Sequence, residues 1–120
     1  MSAFISVLSI AGCLMYGRKE WVPLKLDNED STAHTLRVTA SIPSETYTTT
    51  EDVQSRESTT INEFVPYSDT DYTPSITISV DGRKITQTEV LVDIAVDHFE
   101  VLVTNEDSAE IKRIDNEDFQ

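Results

Sequence analysis

The stretch Pro74–Val92 most constrains what this chain can fold into. Ile76, Ile78 and Val80 alternate with Ser75, Thr77 and Ser79, and Asp81-Gly82 separates this run from a second one, Arg83 to Val92. Successive side chains of a strand point to opposite faces, so strict alternation predicts a half-buried strand. A type I′ turn needs φ > 0 at both central residues, which Asp-Gly supplies, so the two runs are expected to form a β-hairpin. The hairpin has one dry Ile/Val face and one wet Ser/Thr face. Two strands alone are marginal in water, so further strands must cover the dry face.

The remaining patterns agree. Trp21–Leu26 reads as a short strand that Pro23 confines to a sheet edge or a strand start. Ala33–Ile42 reads as a strand with Leu36, Val38, Ala40 and Ile42 on one face. Residues 46–60 are the weakest region, with an irregular strand around Tyr47–Thr50 and an exposed loop from Glu51 to Ser58. Thr59–Val65 is a strand whose core candidates, Ile61 and Phe64, are three apart, a spacing that reads as a bulge or an end effect. His98–Thr104, with Phe99, Val101 and Val103 inward, and Ala109–Ile114 complete the set. No helical period exceeds one turn. About seven short strands with turns every 8–12 residues predict an all-β chain, an antiparallel Ig-like β-sandwich of about seven strands, preceded by a short apolar N-terminal segment. The domains expected are residues 1–19 (signal or anchor), 20–114 (sandwich) and 115–120 (acidic tail).

Charge is unevenly placed. Residues 1–19 contain two bases and no acid, whereas residues 20–120 contain all 22 acids and seven bases, a net charge of 7 − 22 = −15. Such a surface repels nucleic acid and anionic lipid, which argues against both as partners of the domain. With lysine scarce, it also fits a protein adapted to concentrated salt, where self-repulsion is screened.

Met1–Gly17 is apolar, uncharged and shorter than the roughly 20 residues a spanning helix needs. Ile10-Ala11-Gly12-Cys13 closes this run and resembles the lipobox of lipoprotein signal peptides. The resemblance implies cleavage before Cys13, lipid attachment to its thiol, and location on the extracytoplasmic face of the cell membrane. The alternatives are an uncleaved anchor, a first buried strand, or a short span flanked by Arg18 and Lys19 that leaves the domain intracellular. Cys13 is the one cysteine, so an internal disulfide is excluded.

From Leu24 onward the chain resembles the small Ig-like β-sandwich lipoproteins of salt-loving archaea. The residues that carry the likeness are Leu24-Lys-Leu-Asp-Asn28, His34-Thr35-Leu36-Arg37-Val38-Thr39, the Asp81-Gly82 hairpin and Phe99-Glu-Val-Leu-Val-Thr-Asn105. It implies a membrane-tethered, extracytoplasmic module and no catalytic residue.

No nucleophile elbow, P-loop, dinucleotide fingerprint or zinc-protease motif occurs, and no cofactor is implied. The function expected is therefore non-catalytic: binding or a structural role at the cell surface, toward a protein or surface polymer. Calcium binding is the alternative, with Asp27, Asp30, Asp69, Asp71 and Asp107 as candidate ligands, since calcium takes six to eight oxygens from such loops. Turn chemistry explains the same carboxylates, two of whose clusters share the sequence Asn-Glu-Asp-Ser. Tyr47, Tyr67 and Tyr72 are candidates for a binding patch, or else cover the sandwich ends. His34 and His98 either meet at one end and bind a metal, or each caps a strand end on the surface; an uncharacterised hydrolase with His34 or His98 as its base is a further alternative.

Overall fold

The computed structural model describes residues 20–117. Cys13 and the whole leader lie outside the described residues. Eight strands follow in order: β1 (Trp21–Asn28), β2 (His34–Ile42), β3 (Glu45–Val53), β4 (Ser58–Pro66), β5 (Ser75–Val80), β6 (Arg83–Glu89), β7 (Val96–Asn105) and β8 (Ser108–Asp115). They form two four-stranded sheets, β4-β1-β7-β8 and β3-β2-β5-β6. The inward residues of both belong to one hydrophobic core. The molecule is thus an all-β sandwich.

The Asp81-Gly82 hairpin forms as the alternation predicts. Its central φ values are 52° and 87°, and Val80 pairs directly with Arg83. Ile76, Ile78 and Val80 are buried and the serines and threonines between them are not. The second strand ends at Glu89. Beyond it the chain leaves β6, and Val92 bridges instead to Tyr72. Arg113 of β8 pins this long connection, donating from one Nη to the Leu91 carbonyl at 3.2 Å and from the other to Asp93 at 2.8 Å, while its Nε bonds Asp115.

Four expectations need correction. Eight strands are present among the described residues, against about seven expected. One pairing is parallel, β1 with β7, so the sandwich is not wholly antiparallel. β1 is a central strand despite Pro23, because the missing N–H falls where the chain can spare it: the β1–β4 register shifts between Val22 and Leu24, and the β1–β7 ladder begins only at Leu24. Of the two readings of the Ile61–Phe64 spacing, this shift supplies the bulge. Finally, Glu45–Val53 is no irregular segment but a full strand, pairing nine consecutive residues with β2. Its lack of apolar residues misleads because β3 is an edge strand whose threonines supply β-branched stiffness without needing full burial.

The start of the acidic tail belongs to the fold. Asp115 is in β8, and the Asn116 backbone N–H donates to the Ala95 carbonyl at 2.8 Å.

Phe99 fills the centre of the core, edge-on to Phe64 with ring centroids 6.4 Å apart. Phe99→Ala is expected to cost about 3–5 kcal/mol. Gly82→Ala meets no atom within 4 Å of the new Cβ, so only its positive φ opposes it, and the expected cost is about 1–2 kcal/mol. Chemical denaturation of both variants checks the contrast; equal losses would contradict this account of the core and the turn.

Candidate functional site

The parallel pairing of β1 and β7 sets Asn28 beside Val103, so β1 ends two residues before β7 at the same end of the sandwich. The turns that follow them are the two copies of Asn-Glu-Asp-Ser, residues 28–31 and 105–108. Each is closed in the same way. Asn28 Oδ1 accepts the backbone N–H of Asp30 at 3.0 Å, and Asn105 Oδ1 accepts that of Asp107 at 2.8 Å. An Asn side chain that bonds the backbone two residues on makes an Asx turn.

Asn28 does more than close its own turn. It is fully buried, and its Nδ2 donates to the carbonyls of Thr32 (2.9 Å), Val53 (3.0 Å) and Gln54 (3.3 Å). One amide thereby ties the β1–β2 loop to the end of β3. Ser55 Oγ adds a bond to the Asp30 carbonyl at 3.0 Å.

His34 stands at the centre of this end. By alternation it shares the inward face of Leu36, Val38 and Ala40, and only 4% of its side chain is exposed. Its Nε2 lies 2.7 Å from Asp30 Oδ2 and its Nδ1 lies 2.6 Å from Asp81 Oδ2. Carboxylates only accept, so both contacts are made when both ring nitrogens donate, that is, by the imidazolium. The hydrogen bond to Asp30 is the main reason the His34 pKa stands above its ordinary value. Burial opposes that rise, and Asp81 reinforces it. In return, the bond to His34 holds Asp30 below its ordinary value; Asp81 is held low first by the Thr35 N–H and then by His34.

Asp81 is thus shared by two elements. It occupies the left-handed region in the hairpin turn, which Asp tolerates. Its Oδ1 accepts the Thr35 N–H at 2.9 Å, its own N–H donates to the Thr35 carbonyl at 2.8 Å, and its Oδ2 takes His34. The turn residue therefore extends the β2–β5 ladder past its last paired residues, Leu36 and Val80.

Asp30, Thr32, His34, Asp81, Asn105, Glu106 and Asp107 line an open cleft of about 600 Å3. Arg83 at the start of β6 forms an ion pair with Asp107. Three of the four carboxylates in the cleft wall therefore have a cationic partner within the fold.

The other candidates fall elsewhere. His98 is the third residue of β7 and lies about 23 Å along that strand from Asn105, so the two histidines do not meet. Its nitrogens face Asp97 (2.7 Å) and Glu100 (3.1 Å). His98 is the chief cause that keeps Glu100 below the usual carboxylate range, with Lys25 and Lys112 acting in the same direction. Of the proposed calcium ligands, Asp30 and Asp107 reach the cleft. Asp27 is within β1, and exposed Asp69 and Asp71 follow β4 at the opposite end of the sandwich. Among the described residues no group of three or more His, Cys, Asp or Glu is arranged to hold a metal ion.

The three tyrosines also gather at the far end, packed on the core. The hydroxyls of Tyr67 and Tyr72 donate to the carbonyls of Val96 and Pro66, and that of Tyr47 to Glu45. Burial pushes the Tyr72 phenol up to about 12. Trp21 meets Tyr47 edge-on at 6.4 Å. These rings plug the sandwich.

No protein-family model matches the chain, and no curated protein matches it in sequence.

The role of His34 can be measured. His34→Ala is expected to cost about 2–3 kcal/mol, since it strips two carboxylates of their shared donor at a buried site. A raised His pKa stabilises fully below the unfolded value and less as pH rises through the folded one; a lowered Asp pKa stabilises above its unfolded value. The stability difference between wild type and His34→Ala should therefore be largest between about pH 4 and pH 6.5 and shrink on both sides. Asp81→Asn keeps the Thr35 bond and should lower the His34 pKa read by NMR titration. A pH-independent difference would contradict the charged clamp. Asn28→Ala, which takes a buried donor from three carbonyls while that of Gln54 keeps the Glu57 N–H, is expected to cost about 2–4 kcal/mol in the same denaturation assay.

Proposed function

We propose that this chain is a non-catalytic, membrane-tethered extracytoplasmic module that binds a protein or surface polymer or serves a structural role at the cell surface. The observation that carries the non-catalytic reading is that His34 and His98 each have both ring nitrogens held by carboxylates. A general base needs a free nitrogen within reach of the proton it takes, and a histidine metal ligand needs a free lone pair. At each imidazole both nitrogens already face a carboxylate. The cleft around His34 is a charge network in which three of the four carboxylates are paired within the fold, which suits a rigid end that holds loops in place.

An Ig-like sandwich, in the broad sense of two face-packed sheets, is the finer description of the fold. Support comes from four connections that cross between the sheets (β1–β2, β3–β4, β4–β5 and β6–β7) and three hairpins that stay within one. The four-plus-four division and the parallel β1–β7 pair set it apart from the seven-stranded constant-type arrangement of four plus three. Tethering rests on Ile10-Ala11-Gly12-Cys13 at the end of the apolar leader. Among the described residues no helix is long and apolar enough to cross a membrane. Adaptation to salt rests on the net charge of −15 over residues 20–120, from 22 acids and seven bases.

The intact mass of protein extracted from membranes tests the tether. The expected species starts at Cys13 and carries a lipid increment, and Cys13→Ser moves the protein out of the detergent phase. Retention of residues 1–12 with no added mass would overturn the lipid anchor. Salt adaptation is tested separately: the melting temperature should rise as NaCl goes from about 0.1 M to about 1 M, over which the Debye length falls from about 10 Å to about 3 Å. A flat profile would remove it.

A further inference from the structure

The turn Asp81-Gly82 holds a reactive pair as well as a hairpin. A glycine has no side chain to shield its backbone nitrogen. After an aspartate, that nitrogen can reach the carbon of the aspartate's own carboxyl and close a five-membered ring. This is the one Asp-Gly pair in the chain. On the glycine side nothing obstructs the reaction. The Gly82 N–H takes no hydrogen-bond partner among the described residues, and a Cβ placed on Gly82 would meet no atom within 4 Å. The Asp81 side chain is 46% exposed, so water reaches it.

Every restraint falls on the carboxylate. Oδ1 accepts the Thr35 N–H at 2.9 Å, and Oδ2 lies 2.6 Å from His34 Nδ1. Ring closure needs the carboxyl to rotate and to shed one oxygen, which neither bond permits while it holds. The Thr35 N–H first and His34 second also keep Asp81 below the usual carboxylate range. The neutral carboxyl, the form with a competent leaving group, is scarce as a result.

We propose that Asp81 is a modification site, an aspartate that isomerises through a succinimide to isoaspartate at a rate set by the hold of His34 on its carboxylate. In the first step the Gly82 nitrogen bonds to Asp81 Cγ. One carboxyl oxygen leaves as water, taking the carboxyl proton and the Gly82 proton. In the second step water adds to one of the two ring carbonyls. Opening at Cγ restores aspartate. Opening at the backbone carbonyl leaves the chain running through Cβ, with no net change in mass and no reactant but water. The turn is then longer by one methylene group, so it no longer matches the direct pairing of Val80 with Arg83. Thr35 and His34 lose their shared carboxylate, and the His34 end is opened covalently.

The full-length chain, held in nonionic detergent at one mildly acidic pH, tests this when the peptide containing Asp81 is scored for isoaspartate by chromatography and electron-transfer fragmentation. The same chain unfolded in denaturant sets the unrestrained rate, and folded wild type is expected to react more slowly. His34→Ala should react about tenfold faster than wild type, the factor that one charge-assisted hydrogen bond supplies. His34→Gln keeps bulk at the site and loses the charge. It should fall between the two, and it carries the comparison if His34→Ala does not fold. Phe99→Ala weakens the core without touching the carboxylate, and should stay at the wild-type rate while circular dichroism shows it folded. Wild type reacting as fast as the unfolded chain overturns the proposal. So does equal acceleration by Phe99→Ala, which reports global unfolding. A rate unchanged or lowered by loss of His34 also overturns it, the lowered rate meaning that the imidazolium acts as an acid for the departing oxygen.

Discussion

The parallel pairing of β1 with β7 is the contact on which the rest of the sandwich depends. It joins segments more than 70 residues apart in sequence and makes β1 a central strand, with β4 on its other side. Parallel neighbours cannot be joined by a tight turn, so the chain must visit both sheets before β7 returns to β1. Every crossing between the sheets lies inside that excursion. Loop closure over such a span is costly in entropy, and the return is the burial of Leu24, Leu26, Phe99, Val101 and Val103 on one shared face. The local hairpin at Asp81-Gly82 needs no such closure, but alone it would have nothing to cover its dry side.

The same pairing creates the polar end. Two parallel strands that end within two residues of each other turn at the same end of the sandwich, and here both turns are Asn-Glu-Asp-Ser. Four carboxylates converge as a result: Asp30, Glu106, Asp107 and, from the other sheet, Asp81. Unrelieved, such a cluster would repel itself. His34 relieves it from within and Arg83 from the rim. The histidine is the more consequential of the two. It is nearly buried and neutralises the Asp30 loop and the Asp81 turn together, locking the β1–β2 connection onto the β5–β6 hairpin across the top of the core. An exposed pair such as Arg83–Asp107 contributes little by comparison, since solvent and salt screen it.

Much of this was legible in the residues, and the failures have physical causes. Alternation located β5, β2 and β7 and their inward faces, because burial of one face imposes period two. That rule also reached further than its use. Extending the even positions of β2 back from Leu36 puts His34 on the buried face, and a buried histidine needs partners. The signal was overlooked because histidine is read as polar. Asp81, read as a turn former, has a second role in holding His34 and Thr35, which no local pattern encodes. Nor does any local pattern encode the parallel β1–β7 contact, so the duplicated Asn-Glu-Asp-Ser was visible as a repeat but not as a neighbouring pair. Pro23 pointed to an edge or a strand start; the strand is central, and Pro23 lies near its start, where a bulge absorbs its missing donor. β3 was misjudged because edge strands need β-branched residues more than apolar ones.

The two ends of the sandwich differ in kind, and β1 connects them. It enters at Trp21, among the rings of Tyr47, Tyr67 and Tyr72, and leaves at Asn28, inside the cleft wall. The Tyr67 N–H donates to the Glu20 carbonyl at 3.0 Å, which fixes the point of entry at the plugged end. A tether placed before Trp21 therefore pulls on the tyrosine end. In the proposed anchored arrangement the His34 cleft projects away from the membrane by about the length of β1, some 27 Å at roughly 3.4 Å per residue. The long β3 edge runs beside that axis, from Glu45 near the plugged end to Val53 near the cleft, since it pairs with β2 over its full length. The seven residues between Cys13 and Trp21, spanning up to about 28 Å when extended, set how far the sandwich can tip from that upright stance.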